Sequence, residues 1–125
     1  MPLTSAKIAD LAKSYAAAWT ARDGFDIAQH FEPTGQLVVN GTPATDPKSI
    51  ADVAQGFITL FPDLHYMADD TRIAGANALQ SWTLYGHHSE TNAFTKLSGW
   101  NTFTVSDAGK IQTAHMFYDP SEMKG

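Results

Sequence analysis

The sequence contains no cysteine. This absence excludes disulfide bonds, thiolate catalysis, and zinc or iron–sulfur sites built on cysteine. Positive charge is also scarce, with 8 lysines and arginines against 13 aspartates and glutamates and a formal net charge of −5. Because proteins that bind nucleic acids usually concentrate positive charge on one surface, no nucleic-acid partner is expected.

Long apolar runs and targeting signals are missing as well. No segment approaches the roughly 20 apolar residues of a membrane-spanning helix, so no membrane partner is expected. The first five residues, MPLTS, show no basic stretch followed by an apolar one, which predicts no signal peptide. Glycine-rich phosphate loops and serine-elbow motifs are absent too. Together these absences predict a cytoplasmic protein.

The apolar content is sufficient for a stable core. Hydrophobic residues make up 43% of the chain, which fits one domain spanning residues 1–125. A domain of this size buries only about two-thirds of the surface of its unfolded chain. Pairing of two copies would cover more of that surface, so a homodimer is expected.

The first half of the chain predicts helices. Apolar residues at spacings of three and four predict an amphipathic helix of about 18 residues that is capped by Thr4 or Ser5 and stops at Gly24. The same spacing predicts a later helix that is capped by Asp46 and ended by Pro62.

Between these two helices the sequence predicts shorter elements. Residues 25–31 fit a short helix with Phe31 facing inward. A short strand is predicted at 36–40 and a turn-rich loop at 41–47.

The second half of the chain predicts an antiparallel sheet. Helices followed by a strand meander indicate an α+β domain. Both faces of the later strands carry sizeable side chains, so we expect the protein's own helices to cover one face and a partner subunit the other. The predicted strands are 64–73, 78–88, 94–105 and 111–119.

Three short motifs occur in the order and spacing of a known family. They are FPDL at 61–64, LYGHH at 84–88 and GKI at 109–111. With them, nearly the whole chain resembles the SnoaL-like and ketosteroid-isomerase-like branches of the nuclear transport factor 2-like superfamily. The resemblance implies a cystatin-like cone, in which a strongly bent, mostly antiparallel sheet wraps around a long N-terminal helix and leaves a pocket. It also implies a homodimer formed through the sheet.

The family's catalytic carboxylates have no counterparts in this sequence. The isomerase pattern uses a tyrosine, an aspartate base and a protonated aspartate, and these positions correspond to Tyr15, Asn40 and Asn101. The aspartate of the polyketide cyclases corresponds to Met116, and Asp119 is expected on the opposite strand face. Because an amide takes no proton at neutral pH, isomerisation by the family's route is not expected. An amide still donates hydrogen bonds, so Tyr15 and Asn101 are candidates for stabilising an oxyanion.

The pocket implied by the resemblance has one titratable candidate and an aromatic wall. His88 is the only group titrating near neutral pH that we place inside, and it is the candidate general acid or base. His87 should face the other side of the strand, so we expect no metal site, and no cofactor is expected either. The aromatic wall of the implied pocket suits a small apolar or aromatic ligand. The candidate ligand-binding residues are Trp19, Phe31, Asn40, Phe57, Phe61, Trp82, Leu84, Phe103, Met116 and Tyr118.

Three functions remain open at this point. One is an enzyme that catalyses the isomerisation, the cyclisation or an elimination reaction of a small, largely apolar molecule, with His88, Tyr15 and Asn101 as catalytic residues. A second is a non-catalytic binding module, favoured by the neutral residues at the carboxylate positions. A third is a dimeric scaffold whose pocket is filled. Every candidate wall residue could instead be an ordinary core residue with no role in binding. Asn40 could instead serve only to form the turn before Gly41.

Overall fold

The computed structural model describes residues 3–123, and the outermost residues of the predicted 1–125 domain lie outside this range. No helix in the described range is long and apolar enough to cross a membrane. In chain order the elements are α1 (Ser5–Thr20), α2 (Gly24–Gln29), β1 (Phe31–Val39), β2 (Thr42–Ala44), α3 (Pro47–Leu60), β3 (His65–Ala74), β4 (Asn77–His87), β5 (Phe94–Val105), β6 (Ile111–Tyr118) and a 3₁₀ helix (Pro120–Met123).

The six strands form one sheet in the order β2-β1-β6-β5-β4-β3. All neighbouring strands are antiparallel except β1 and β6, which are parallel. Helix α1 packs against β3, and α2 packs against α3. The predicted α+β class, with helices on a mostly antiparallel sheet, is confirmed.

Side-chain caps start the helices where the sequence predicts them. The Thr4 hydroxyl accepts a hydrogen bond from the backbone N–H of Lys7 at the start of α1. The Asp46 carboxylate accepts one from the N–H of Ser49, 2.8 Å away, and Pro47 occupies the first turn of α3. Each cap satisfies a backbone donor that has no partner within its helix.

The first helix is shorter than predicted. It ends at Thr20, and the chain reverses at Arg22, whose φ is 57°. Gly24 therefore opens α2 and does not stop α1. The reversal lets α2 pack against α3, a tertiary contact that the local apolar pattern does not encode.

The predicted helix over 25–31 is wrong at its end. Helix α2 stops at Gln29, and Phe31 is the first residue of β1, where it pairs with Ile111. The N–H of Ile111 donates to the carbonyl of His30 at 2.9 Å, so pairing with the end of the chain draws this segment into the sheet. Phe31 is nevertheless buried, as predicted.

The predicted loop at 41–47 also contains a strand. Residues Thr42–Ala44 form β2, which pairs with the end of β1. Asn40 and Gly41 make the tight turn between them, with φ values of 47° and 89°. A two-residue turn with left-handed backbone is typical of hairpins.

Candidate functional site

The space between α1, α3 and the sheet is filled by stacked aromatic rings. Tyr15 and Trp19 lie one turn apart on α1 and are fully buried. Trp19 stacks on Tyr66 with ring centroids 6.0 Å apart, and Tyr66 stacks on Trp82 at 5.5 Å. Phe57 of α3 meets Trp19 edge-on at 5.6 Å. We call these five side chains the aromatic interior.

A buried hydrogen-bond chain connects the aromatic interior to α1. The indole N–H of Trp82 donates to Oδ1 of Asn101 at 3.1 Å, and Nδ2 of Asn101 donates to the hydroxyl of Tyr66 at 3.0 Å. The Tyr66 hydroxyl donates to Oε1 of Gln80 at 2.6 Å. Nε2 of Gln80 donates to the carbonyl of Ala12 at 3.2 Å. Tyr66 and Gln80 were not predicted as site residues. Only the alternation of their strands, which places both side chains on the inward face, could have indicated them.

Two polar atoms of the aromatic interior have no hydrogen-bond partner. They are the Tyr15 hydroxyl and the Trp19 indole N–H. Burial raises the pKa of Tyr15 well above its usual value, and the nearby Trp19 N–H offsets this only in part. Tyr15 is therefore a neutral donor at physiological pH. An unpartnered buried polar group costs about 1–3 kcal/mol, so these two atoms are exceptions to the usual pairing of buried polar groups.

A shallow opening lies next to the aromatic interior. Its volume is about 210 Å³. Tyr118 is half-buried, and its ring contacts those of Phe57 at 5.7 Å and Trp82 at 6.4 Å. We call this opening the mouth; it is lined by Val53, Gly56, Phe57, Tyr118 and Met123.

His88 lies away from the other two predicted catalytic residues. It follows the end of β4 and is half-buried, with its ring edge-on to Phe61 at 5.8 Å. In the described part of the chain, no hydrogen bond or ring contact links His88 to Tyr15 or Asn101. It borders a surface cleft of about 400 Å³ lined by Pro62, Asp63, His87, His88, Ser89 and Asn92.

The cleft also holds His87, which the predicted strand alternation places on the opposite side from His88. The strand ends at His87, so alternation does not extend to His88 and both residues line the same cleft. Asp63 accepts hydrogen bonds from the His87 backbone N–H at 2.7 Å and from its ring at 2.6 Å. These bonds lower the pKa of Asp63 and tie the FPDL segment to the end of β4. Residues 3–123 contain no cluster of three metal-ligating side chains.

Asn40 and Asp119 are exposed at the surface. The Asn40 side-chain oxygen accepts a hydrogen bond from the backbone N–H of Tyr118 at 3.1 Å, which ties the β1–β2 turn to β6. Asp119 accepts one from the N–H of Ser121 at 3.0 Å, and this bond lowers its pKa. Each side chain thus stabilises backbone at the end of β6.

The other predicted wall residues are in the core. Phe31 and Phe103 meet the Tyr15 ring edge-on at 5.9 and 5.4 Å. Apart from the half-buried Tyr118, the remainder are fully or almost fully buried: Phe57, Phe61, Trp82, Leu84 and Met116.

Solved structures share this fold at low sequence identity. A hypothetical protein from Catenulispora acidiphila with a ketosteroid isomerase-like fold, in complex with trimethylamine, is 16% identical, with a TM-score of 0.84 and coverage of 90% of this chain and 88% of that one. AclR, a candidate hydroxylase from Streptomyces galilaeus, is 16% identical, with a TM-score of 0.83 and coverage of 93% and 91%. A candidate SnoaL-like polyketide cyclase from a Jannaschia species is 13% identical, with a TM-score of 0.82 and coverage of 95% and 91%.

The sequence itself supports a family assignment. A comparison with curated proteins gives no match. Residues 12–114, most of the chain, match the SnoaL-like domain family. The resemblance carried by the three motifs is thereby confirmed, and the chain belongs to the SnoaL-like domain family.

Proposed function

We propose that the protein binds a small, largely apolar molecule in the mouth, where the molecule would pack against Phe57 and Tyr118 at the edge of the aromatic interior. The observation that carries this proposal is the opening of about 210 Å³, whose lining is mainly apolar and aromatic, beside an interior that is otherwise packed. Ligand sites are typically apolar with a few polar groups that orient the ligand. The trimethylamine complex of the Catenulispora protein supports small-molecule binding by this fold.

Binding accounts for the interior better than acid–base catalysis does. Beyond the aromatic side chains, the buried polar residues of the described chain are Gln80, Thr83, Thr95 and Asn101, none of which transfers a proton at neutral pH. Isomerisation, cyclisation or elimination would require His88 to act from its separate cleft. We therefore favour a binding protein over an enzyme.

Blocking the mouth should weaken binding. A Cβ at Gly56 meets nothing within 4 Å and Gly56 lines the mouth, so Gly56→Phe should place its ring in the opening. We expect the Kd for a two-ring probe such as tetralin or 1-tetralone, measured by isothermal titration calorimetry, to rise at least about tenfold, which corresponds to about 1.4 kcal/mol. Gly56→Ala is the matched control and should bind the probe like the wild type. Equal affinity in Gly56→Phe would show that the probe does not bind in the mouth.

A second copy of the chain is proposed to cover the outer face of the sheet. Trp100 is 48% exposed and stacks on Phe117 with centroids 5.4 Å apart, and Phe94 is 61% exposed. Leu79 and Met67 on neighbouring strands are exposed as well. Clustered apolar groups of this kind on a surface mark an interface, and a symmetric dimer pairs the same patch on both copies.

The dimer is tested by placing a charge in this patch. Trp100→Glu would bury a carboxylate in the proposed interface, so we expect it to sediment as a monomer where the wild type sediments as a dimer. Phe25→Glu, at a 72% exposed position on α2, is the control and should remain dimeric. A wild-type protein that sediments as a monomer at micromolar concentration would contradict the proposal.

A further inference from the structure

The surface cleft at the end of β4 is a second opening, separate from the mouth. Its volume is about 400 Å³, and no described residue lines both openings. The cleft brings together His87 and His88 of the LYGHH motif with Asp63 of the FPDL motif. Binding of an apolar molecule in the mouth makes no use of these polar groups. What the cleft can bind depends on which ring nitrogens of the two histidines carry a proton.

The Asp63 carboxylate determines the position of the His87 proton. Hydrogen bonds from the backbone and the ring of His87 lower the pKa of Asp63, so this carboxylate is ionised at neutral pH and can only accept. One of its oxygens lies 2.7 Å from the His87 backbone nitrogen and the other lies 2.6 Å from Nδ1 of the ring. The proton of the neutral His87 ring is therefore on Nδ1. Its Nε2 has a lone pair and, within residues 3–123, no hydrogen-bond partner.

His88 has the opposite arrangement. The backbone N–H of Glu90 donates to Nδ1 of His88 at 3.2 Å, so Nδ1 has the lone pair and the proton of the neutral ring is on Nε2. Backbone hydrogen bonds between His88 and Ala93 and between Asn92 and His88, at 2.9 and 2.8 Å, hold the turn in this shape. This Nε2 also lacks a hydrogen-bond partner in the described part of the chain. Two adjacent residues thus offer the cleft one acceptor and one donor.

We propose that the cleft binds a small neutral amide whose N–H and carbonyl oxygen lie on the same edge, as in a primary carboxamide or a lactam. The N–H would donate to Nε2 of His87, and the carbonyl oxygen would accept from Nε2 of His88. A peptide bond of a protein partner does not fit, because it is trans and its N–H and carbonyl point to opposite sides. A carboxylate is disfavoured because it has no proton for His87 and would lie beside the charged Asp63.

The same proton positions disfavour a metal ion shared by the two rings. A metal would need a lone pair on Nε2 of both His87 and His88. The His88 proton would then have to move to Nδ1, which would break the hydrogen bond from Glu90. An amide uses both rings as they are.

The experiment compares three probes on the intact wild-type protein at about pH 8, where imidazoles are neutral. Benzamide has an N–H and an oxygen on one edge, N-methylbenzamide has them on opposite edges because its amide is trans, and methyl benzoate has no donor. All three share an aromatic ring that can pack on Pro62, which lines the cleft. We expect the Kd of benzamide, measured by NMR titration, to be at least about threefold lower than that of either other probe.

The histidine ring nitrogens report the binding directly. Long-range ¹H–¹⁵N spectra distinguish the two neutral forms of each of the five histidines, and His87→Gln and His88→Gln assign the two signals of interest. Benzamide should shift Nε2 of both rings. Equal Kd values for the three probes, or unmoved signals from both rings, would overturn the proposal. Neither result would affect binding in the mouth, which the Gly56→Phe variant tests separately.

Asp63→Asn should change what the cleft prefers. The asparagine oxygen can keep the hydrogen bond from the His87 backbone, and its amide nitrogen then faces Nδ1 and donates to it. The His87 proton would move to Nε2, so the cleft would offer two donors and the preference for benzamide over methyl benzoate should fall at least about threefold. His65→Gln, at an exposed position outside the cleft, is the control and should keep the wild-type preference. A moved His87 proton with an unchanged preference would exclude His87 from ligand binding and overturn the proposal.

Discussion

Replacing Gly99 by alanine is expected to lower the free energy of unfolding by about 3 kcal/mol, the upper end of the usual effect of overpacking. A Cβ at Gly99 would collide with the carbonyl oxygen of Phe117 and lie 2.6 Å from the Trp82 ring, which covers this position of β5. The backbone of β6 cannot move without breaking its pairing with β5, and Trp82 cannot move without losing its bond to Asn101. Gly99 thus provides the space in which the Trp82 ring of the aromatic interior lies.

Thermal unfolding followed by circular dichroism would measure this effect as a fall in Tm of about 10 °C. Gly56→Ala is the matched control, because its Cβ meets nothing and alanine favours the helix more than glycine does. It should raise stability by about 0.5 kcal/mol. A Gly99→Ala protein as stable as the wild type would show that Trp82 does not lie against this strand.

Replacing Asn101 by leucine is expected to cost about 3 kcal/mol even though both side chains branch at Cγ and have the same number of non-hydrogen atoms. The substitution leaves the Trp82 indole N–H without an acceptor and the Tyr66 hydroxyl without its donor, both in a buried setting. Unpaired buried polar groups retain their full dehydration penalty, so the loss exceeds the net value of two ordinary hydrogen bonds. Urea unfolding would report it as a lower midpoint with an unchanged slope.

A double-mutant cycle with Tyr66→Phe tests whether these residues act together. Because Asn101 and Tyr66 share a hydrogen bond, the two effects should deviate from additivity by at least about 1 kcal/mol. Thr104→Ala on the same strand removes only an exposed hydrogen bond to Asn77 and should change stability by less than about 0.5 kcal/mol. Additive losses for Asn101 and Tyr66 would contradict a connected network.

The parts of the fold that depend on local chemistry could be read from the sequence. The cap at Asp46, the apolar spacing of α3 and its end before Pro62 each depend on residues only a few positions apart. The same holds for the alternation along β4, where Trp82 and Leu84 are buried. Such signals act over one or two turns of the chain and require no knowledge of distant segments.

The elements that the sequence predicted wrongly depend on contacts between segments far apart in the chain. Phe31 lies in a strand because it pairs with Ile111, and β2 forms because the turn at Asn40 returns the chain onto β1. The hydrogen-bond partners of the buried polar residues likewise depend on distant segments. Asn101 could be placed on an inward strand face, but its partners Tyr66 and Trp82 come from two other strands.

The sequence by itself determined the order of the α-helices and of every strand except β2, the inward positions of Tyr15, Trp19 and Asn101, and the neutral residues at the family's carboxylate positions. Periodicity and residue chemistry are sufficient for these, because they depend on each residue and its near neighbours. Only the tertiary structure decided which polar groups meet. It joined Asn101 to Tyr66 and left Tyr15 and Trp19 unpaired, because hydrogen bonding depends on distances of about 3 Å between segments far apart in the chain.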